Sequence, residues 1–242
     1  MIYHEVEGRS EKWFALRLGI PTSSEFHKII TPKKLQLSSQ AAGLMYRLLA
    51  EWITGAQVEN FESEYMVRGT ELEDKAVLAY EMLTDTETSL GGCITTDDGM
   101  LGCSPDRLIG TEGDLEIKCP LIQTQVGYAL TGEVGEDYMT QLQGRLFIHG
   151  RQWVDIFSYH PRLSIPPLRI VRNEKFIAAL QPVLEAFVAT ILDARKFLDE
   201  RFGPFVREAP VVTDEHPGAL GITDDDLEAI ILANDNLRQG GF

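Results

Sequence analysis

The chain has no run of even 18 consecutive apolar residues, so no stretch of its 242 residues reads as a membrane span. Its first residues, Met1 to Glu7, have no apolar stretch of the kind a signal peptide needs. Only three cysteines occur, Cys93, Cys103 and Cys119. An odd count, with each in an apolar run, excludes a disulfide framework and suits small core residues in a reducing cytosol. Their spacing also excludes a zinc site or an iron–sulfur cluster. Basic residues are scarce: 22 Lys and Arg stand against 37 Asp and Glu, for a net charge of −15. This argues against a general nucleic-acid-binding surface. The deficit is uneven, however. From Glu208 onward eight acids face one arginine, whereas the first 34 residues hold six Lys and Arg against four acids. Local positive charge is all that a protein needs where a phosphate backbone passes.

The most informative segment runs from Ser104-Pro105-Asp106 to Glu116-Ile117-Lys118. Residues i and i+2 of a strand share a face, so Glu116 and Lys118 point together while Ile117 points to the core. Gly110 to Asp114 is rich in turn formers, which makes the two runs a hairpin with Asp106 against Glu116. Two carboxylates suit a hard divalent cation such as Mg²⁺. A lysine beside them can orient or deprotonate water, or neutralise a developing oxyanion. Together these are the parts that phosphodiester hydrolysis requires. The alternative is a surface hairpin with a same-face ion pair worth about 0–1 kcal/mol. The apolar strand, Leu115 to Pro120, weighs against it, because buried charge is costly unless paired or bound to metal.

Apolar spacing predicts helices over Ser10–Leu18, Ser38–Ile53, Thr70–Leu83 and Glu136–His149. Thr22-Ser23-Ser24-Glu25 has the form of a capping box opening a short helix to about Ile30. Strands are expected over Glu87–Thr95, Met100–Ile109, Leu115–Cys119, Gln152–Tyr159 and Leu168–Val171. A long helix from Asn173 to Phe202 is expected to break or kink at Pro182. The order of these elements predicts one α/β domain with a mixed central sheet over residues 1–207, then an acidic tail over 208–242 carrying a short helix near Asp224–Leu237. On the helix from Glu136, Gln141, Arg145 and His149 form a polar stripe opposite Met139, Leu142 and Leu146; such a stripe is usually a wet face, with a functional role favoured for Gln141 and less so for Arg145. His149 suits a partner for the helix C-terminal dipole.

Five separated motifs resemble the phage λ exonuclease/YqaJ-like viral recombinase family of the PD-(D/E)-x-K nuclease superfamily. They are Trp13 to Ser24 with Arg17, Gly69-x-x-x-Glu73-x-x-Ala76, Cys103 to Asp106, Leu115 to Pro120, and Tyr138-x-x-Gln141 followed by Trp153. The resemblance spans about residues 9–175. It departs from the usual wording at Pro21 and Ser23, and at Arg107, where many members carry glycine.

The resemblance implies a restriction-endonuclease-like α/β fold, with helices flanking a mixed sheet. It implies metal binding by Asp106, Glu116, Glu73 and the Ile117 carbonyl, Lys118 positioning the attacking water, and Gln141 in the active site. Arg17, Ser24 and Thr22 would form a pocket for a DNA 5′-phosphate. The expected activity is Mg²⁺-dependent 5′-to-3′ digestion of linear duplex DNA leaving 3′ single strands for recombination, with Mn²⁺ substituting. A ring-shaped homo-oligomer, a single-strand annealing partner and a phage or prophage origin, acting in the bacterial cytoplasm, are expected on the same grounds. A resolvase or endonuclease of the superfamily, or a non-catalytic DNA-end-binding module, are the competing readings.

Overall fold

A computed structural model describes residues 1–58, 64–133 and 137–205. The expected acidic tail, with its short helix, lies outside the described residues.

The hairpin around Asp106 is present at the middle of a five-stranded mixed sheet. Strands β2 (Ser89–Leu90), β5 (Arg107–Ile109), β6 (Gly113–Lys118), β7 (Trp153–Ser158) and β8 (Leu168–Val171) follow one another across it. All neighbours are antiparallel except β6 and β7, which run parallel. Parallel neighbours need a long crossover. Here it is made by helices α5 (Ile122–Thr131) and α6 (Asp137–His149), and it lays α6 across the sheet. A separate three-stranded sheet joins β1 (Ile2–His4), β3 (Cys93–Thr95) and β4 (Gly102–Cys103).

Strand β6 is covered on both sides. Leu115 and Ile117 pack with Ala76, Val77 and Tyr80 of α4 (Glu64–Thr84). The alternate residues, Asp114 and Glu116, meet α6 instead. Leu142 and Leu146 of α6 pack on Val154 and Ile156 of β7. The largest core lies beyond, where α2 (Phe26–Ile29) and α3 (Ala41–Thr54) pack with α7 (Glu174–Phe202). By length and apolar content alone α7 would suffice to cross a membrane. It nevertheless packs Ile177, Leu180, Leu184, Phe187, Val188 and Ile191 inside the protein.

Four expectations need correction. The two runs 87–95 and 100–109 are not single strands. Each is split, and its halves join different sheets. Gly92 breaks the first with a φ of +64°, and Pro105, which has no N–H for a ladder, interrupts the second. The capping box at Thr22 does not form. A 3-10 turn (Ser23–Glu25) starts there without a side-chain cap, because Arg17 engages the Thr22 hydroxyl and Arg47 takes the Glu25 carboxylate. Pro182 does not break α7, which continues through it as one helix.

Helix α5 has no counterpart in the sequence reading. Its apolar residues at helical spacing, Ile122, Val126 and Leu130, are 42%, 42% and 82% exposed. The inward residue is Gln125, which donates to the Ser158 and Leu163 carbonyls and accepts from the Ser158 hydroxyl. The apolar spacing is helical, but it marks the outer face, and the buried face is polar.

Candidate active site

Asp106 immediately precedes β5, and the antiparallel register sets Arg107 opposite Leu115. The Ile117 N–H donates to Asp106 Oδ2 at 2.6 Å, which fastens the acid beside β6. Glu116 is buried and fully engaged. Lys118 Nζ and Gln141 Nε2 donate to its Oε1 at 2.5 and 2.8 Å, and Arg145 donates to Oε2 at 2.5 Å. The Lys118 ammonium also lies 4.8 Å from the centre of the Tyr138 ring.

These neighbours push the two acids apart in acidity. Burial and the Glu116 charge raise the Asp106 pKa to about 8. Burial alone would raise Glu116 too, but the adjoining Lys118 and Arg145 cations overcome it and bring its pKa to about 2. Burial works against the Lys118 charge, yet Glu116 and Asp106 raise its pKa, so it stays an ammonium. Two titratable groups set apart in this way are what acid–base chemistry at a site needs.

Glu73 reaches the same place from α4. It shares a stripe with the buried Val77 and Tyr80 and is itself half-buried. Burial, and less so the nearby Asp74 and Glu116 charges, raise its pKa. The start of that helix is tied to the end of β6 by Arg68, which donates to the Cys119 and Pro120 carbonyls. Close packing above Asp106 depends on Gly91, where a Cβ would lie 1.6 Å from the Pro105 carbonyl oxygen.

A second cluster adjoins the acids. Ser10 caps α1 (Glu11–Ala15) by accepting from the Trp13 N–H, and the chain just beyond carries Arg17. The Arg17 guanidinium lies 4.0 Å over the Trp13 ring and donates to Ser104 at 3.1 Å and Thr22 at 3.3 Å. Thr22 in turn lies 3.2 Å from the exposed Ser24 hydroxyl. Among the described residues no carboxylate forms an ion pair with Arg17. Burial lowers its pKa, so an anion brought against it would restore what desolvation removes. A fork of donors beside hydroxyls suits a phosphate.

One open cleft of about 470 Å³ unites the two clusters, with Arg17, Ser24, Glu73, Asp106, Glu116 and Gln141 on its wall. Lys118 adjoins it through Glu116 and Thr22 through Arg17, and the Ile117 N–H is bonded to Asp106. All nine residues singled out from the sequence therefore belong to one neighbourhood.

Among the described residues no three His, Cys, Asp or Glu side chains already converge as a metal cage. The donor chemistry nevertheless fits a hard cation. Asp106, Glu116 and Glu73 offer only oxygen, and two of the three have raised pKa values from burial beside like charge.

The residues missed from the sequence lie beneath this surface. Arg145 is buried rather than wet, and bridges Glu116 and Asp114. Asp114 belongs to β6 rather than to the turn. His149 is not a dipole partner; it bonds Asp114 at 2.5 Å, and burial lowers its pKa. The available signal was the i, i+4, i+8 stripe on α6, whose spacing matches the strand acids below it.

A model of the YqaJ-like viral recombinase domain matches residues 12–152. The alkaline exonuclease of Laribacter hongkongensis is similar at 33% identity, with a TM-score of 0.73, over 80% of this chain and 98% of that one. Its complex with dAMP matches at 32% identity with the same TM-score and coverage. A phage-related exonuclease from Haemophilus somnus shares the fold at 14% identity and a TM-score of 0.56, over 74% of this chain and 96% of that one. Comparison with curated proteins gives no match. The fold is the restriction-endonuclease-like one, and the chain belongs to the YqaJ-like viral recombinase family.

Proposed function

We propose that this protein is a Mg²⁺-dependent exonuclease that digests linear duplex DNA in the 5′-to-3′ direction and leaves 3′ single strands for phage-type recombination. The observation that carries the reading is the single cleft joining an acid–lysine cluster to an arginine–hydroxyl pocket. A site for cutting alone needs the first cluster. A phosphate pocket beside it suits an enzyme that begins at a phosphorylated end. The family resemblance and the similarity to an alkaline exonuclease support the same chemistry.

In this reading Asp106, Glu116, Glu73 and the Ile117 carbonyl hold the cation. A bound Mg²⁺, for which Mn²⁺ substitutes, supplies Lewis acidity toward the phosphate and lowers the pKa of water. Lys118 orients the attacking water and offsets charge that develops on the phosphate oxygens. Gln141 fixes Glu116 Oε1 from the α6 side. Arg17, with Thr22 and Ser24, holds the 5′-phosphate so that the terminal linkage comes to the acids. A homo-oligomeric ring, a single-strand annealing partner and action in the bacterial cytoplasm extend the proposal on the family resemblance alone.

The test is digestion of linear duplexes bearing 5′-phosphate or 5′-hydroxyl ends with Mg²⁺, beside closed circular DNA, with Lys118→Ala as control. Loss of the linear DNA, faster from phosphate ends and abolished in the variant, is expected. Equal cutting of circles would favour an endonuclease. Binding of ends without cleavage would favour an end-binding module.

A further inference from the structure

Beneath Glu116 lies a set of charges that the proposed reaction does not use. Arg145, at the middle of α6, is the largest fully buried side chain among the described residues. Its Nη1 donates to Glu116 Oε2, and its Nη2 lies 2.9 Å from Asp114 Oδ1, close enough for an ion pair although not aligned as a hydrogen bond. His149 Nε2 lies 2.5 Å from Asp114 Oδ2. The Arg151 N–H donates to His149 Nδ1 at 3.1 Å. Nδ1 is thereby an acceptor, so the neutral ring carries its proton on Nε2 and donates it to Asp114.

The contacts run in one line, from the Arg151 backbone through His149, Asp114 and Arg145 to Glu116. Two carboxylates and a guanidinium, all buried, give no net stability over apolar side chains of the same shape. Their arrangement instead suits orientation. Each member has its neighbour on a fixed element: His149 and Arg145 on α6, Asp114 and Glu116 on β6. Lys118, by contrast, carries a half-buried ammonium on a flexible stem beside the open cleft. Glu116 therefore has one partner that can turn toward water and phosphate and another that stays in place.

We infer that His149, Asp114 and Arg145 form a positioning chain that holds Glu116 oriented, with Oε1 on the side of Lys118 and Gln141. Arg145 offsets the Glu116 charge when Lys118 turns to the reacting water. Asp114 fixes the guanidinium plane, and His149 fixes Asp114. None of the three touches the substrate. The inference rests on the reading of Glu116 as a metal ligand.

The experiment uses the full-length protein and reads Mn²⁺ affinity from the paramagnetic resonance signal of free Mn²⁺, beside kcat and KM on linear duplex DNA and thermal melting. Arg145→Lys keeps the charge but loses the fork. It is expected to lose about 10–100-fold in Mn²⁺ affinity and kcat, with KM for DNA ends unchanged. His149→Leu, which removes the donor to Asp114, is expected to move both in the same direction. His149→Gln, which retains an N–H, is expected to recover most of the loss. Folded variants that bind Mn²⁺ and turn over as the wild type does, even at lower melting temperature, would overturn the chain and leave only a packing role. If Arg145→Lys does not fold, the two His149 variants decide by the same readouts. Wild-type protein that binds no Mn²⁺ would overturn the metal reading and this inference with it. Normal binding in every variant would overturn the inference alone.

Discussion

Two neighbouring strands each bury an acid against an arginine, and only one of the two acids lines the cleft shared with Arg17 and Asp106. On β7, Asp155 accepts from both forks of Arg169 at 2.8 Å and from the Tyr80 hydroxyl at 2.7 Å. Arg169 lies flat on Trp153, 3.5 Å from its ring centre. There each charge is met by protein, and only the Arg169 side chain stays half-exposed. On β6, Glu116 also has an arginine beneath it, but its outer oxygen is shared by Lys118 and Gln141 beside Asp106 and Glu73. A buried acid paired with an arginine is therefore no sign of a site. Surplus carboxylate at the wall of an open cleft is the sign, because only there does protein leave charge for something else to balance.

The largest expected effects follow from breaking one strand's cluster and then the other's. Lys118→Ala should lower kcat on linear duplex DNA by about 10²–10⁴-fold while circular dichroism and melting stay close to wild type. Asp155→Ala should do the reverse. It should cost about 1–3 kcal/mol by leaving the Tyr80 hydroxyl and Arg169 without their acceptor, yet leave turnover per folded molecule unchanged. Denaturant melts beside single-turnover rates read both. Equal losses of activity in the two variants would erase the distinction between the strands.

Smaller effects sharpen the comparison. Gly91→Ala sets a Cβ against the Pro105 carbonyl and must move the backbone leading to Asp106. It should lower activity by more than its melting temperature suggests, whereas a glycine with open space around it, such as Gly127, should tolerate alanine.

The last effect is in pH dependence. Asp106 has a folded pKa raised to about 8, so between pH 4 and 8 the metal-free native state binds a proton that the unfolded state does not. Stability from this group is present below pH 4 and declines as pH rises toward 8. Glu116, lowered to about 2, acts oppositely. Its contribution is present above about pH 4.5 and lost as pH falls toward 2. Melts across pH without metal should follow both slopes, and Mg²⁺ should flatten the Asp106 slope while leaving melting of Asp106→Asn unaffected.

The hairpin was legible in the sequence because strand geometry is local: Glu116 and Lys118 are two residues apart, and a nine-residue link joins Glu116 to Asp106. The stripe of Glu73 with Val77 and Tyr80 was legible for the same reason. What lay beyond reach was which helix lands on which strand. Gln141, Arg145 and His149 show the same spacing whether they face water or acids, and only the α5–α6 crossover decides that they face β6. The two split strands were hidden because a glycine pair or a serine–proline step lowers apolar pattern little while redirecting the chain to another sheet. Helix α5 keeps helical spacing in Ile122, Val126 and Leu130, but spacing alone would turn those residues inward, where Gln125 lies instead. The arginine–hydroxyl pocket rested on the family resemblance, since nothing in local spacing joins Arg17 to Ser104 across 87 residues.

The central claim is that one cleft serves both the end of the DNA and the cut. Comparing initial rates on 5′-phosphate and 5′-hydroxyl duplexes for wild type and Arg17→Lys, at several Mg²⁺ concentrations, tests it most directly. The account predicts that the phosphate preference of the wild type falls by about tenfold in the variant, since lysine lacks the guanidinium fork, while the Mg²⁺ dependence is unchanged. A preference that survives the substitution, or a Mg²⁺ requirement that shifts with it, would contradict the account.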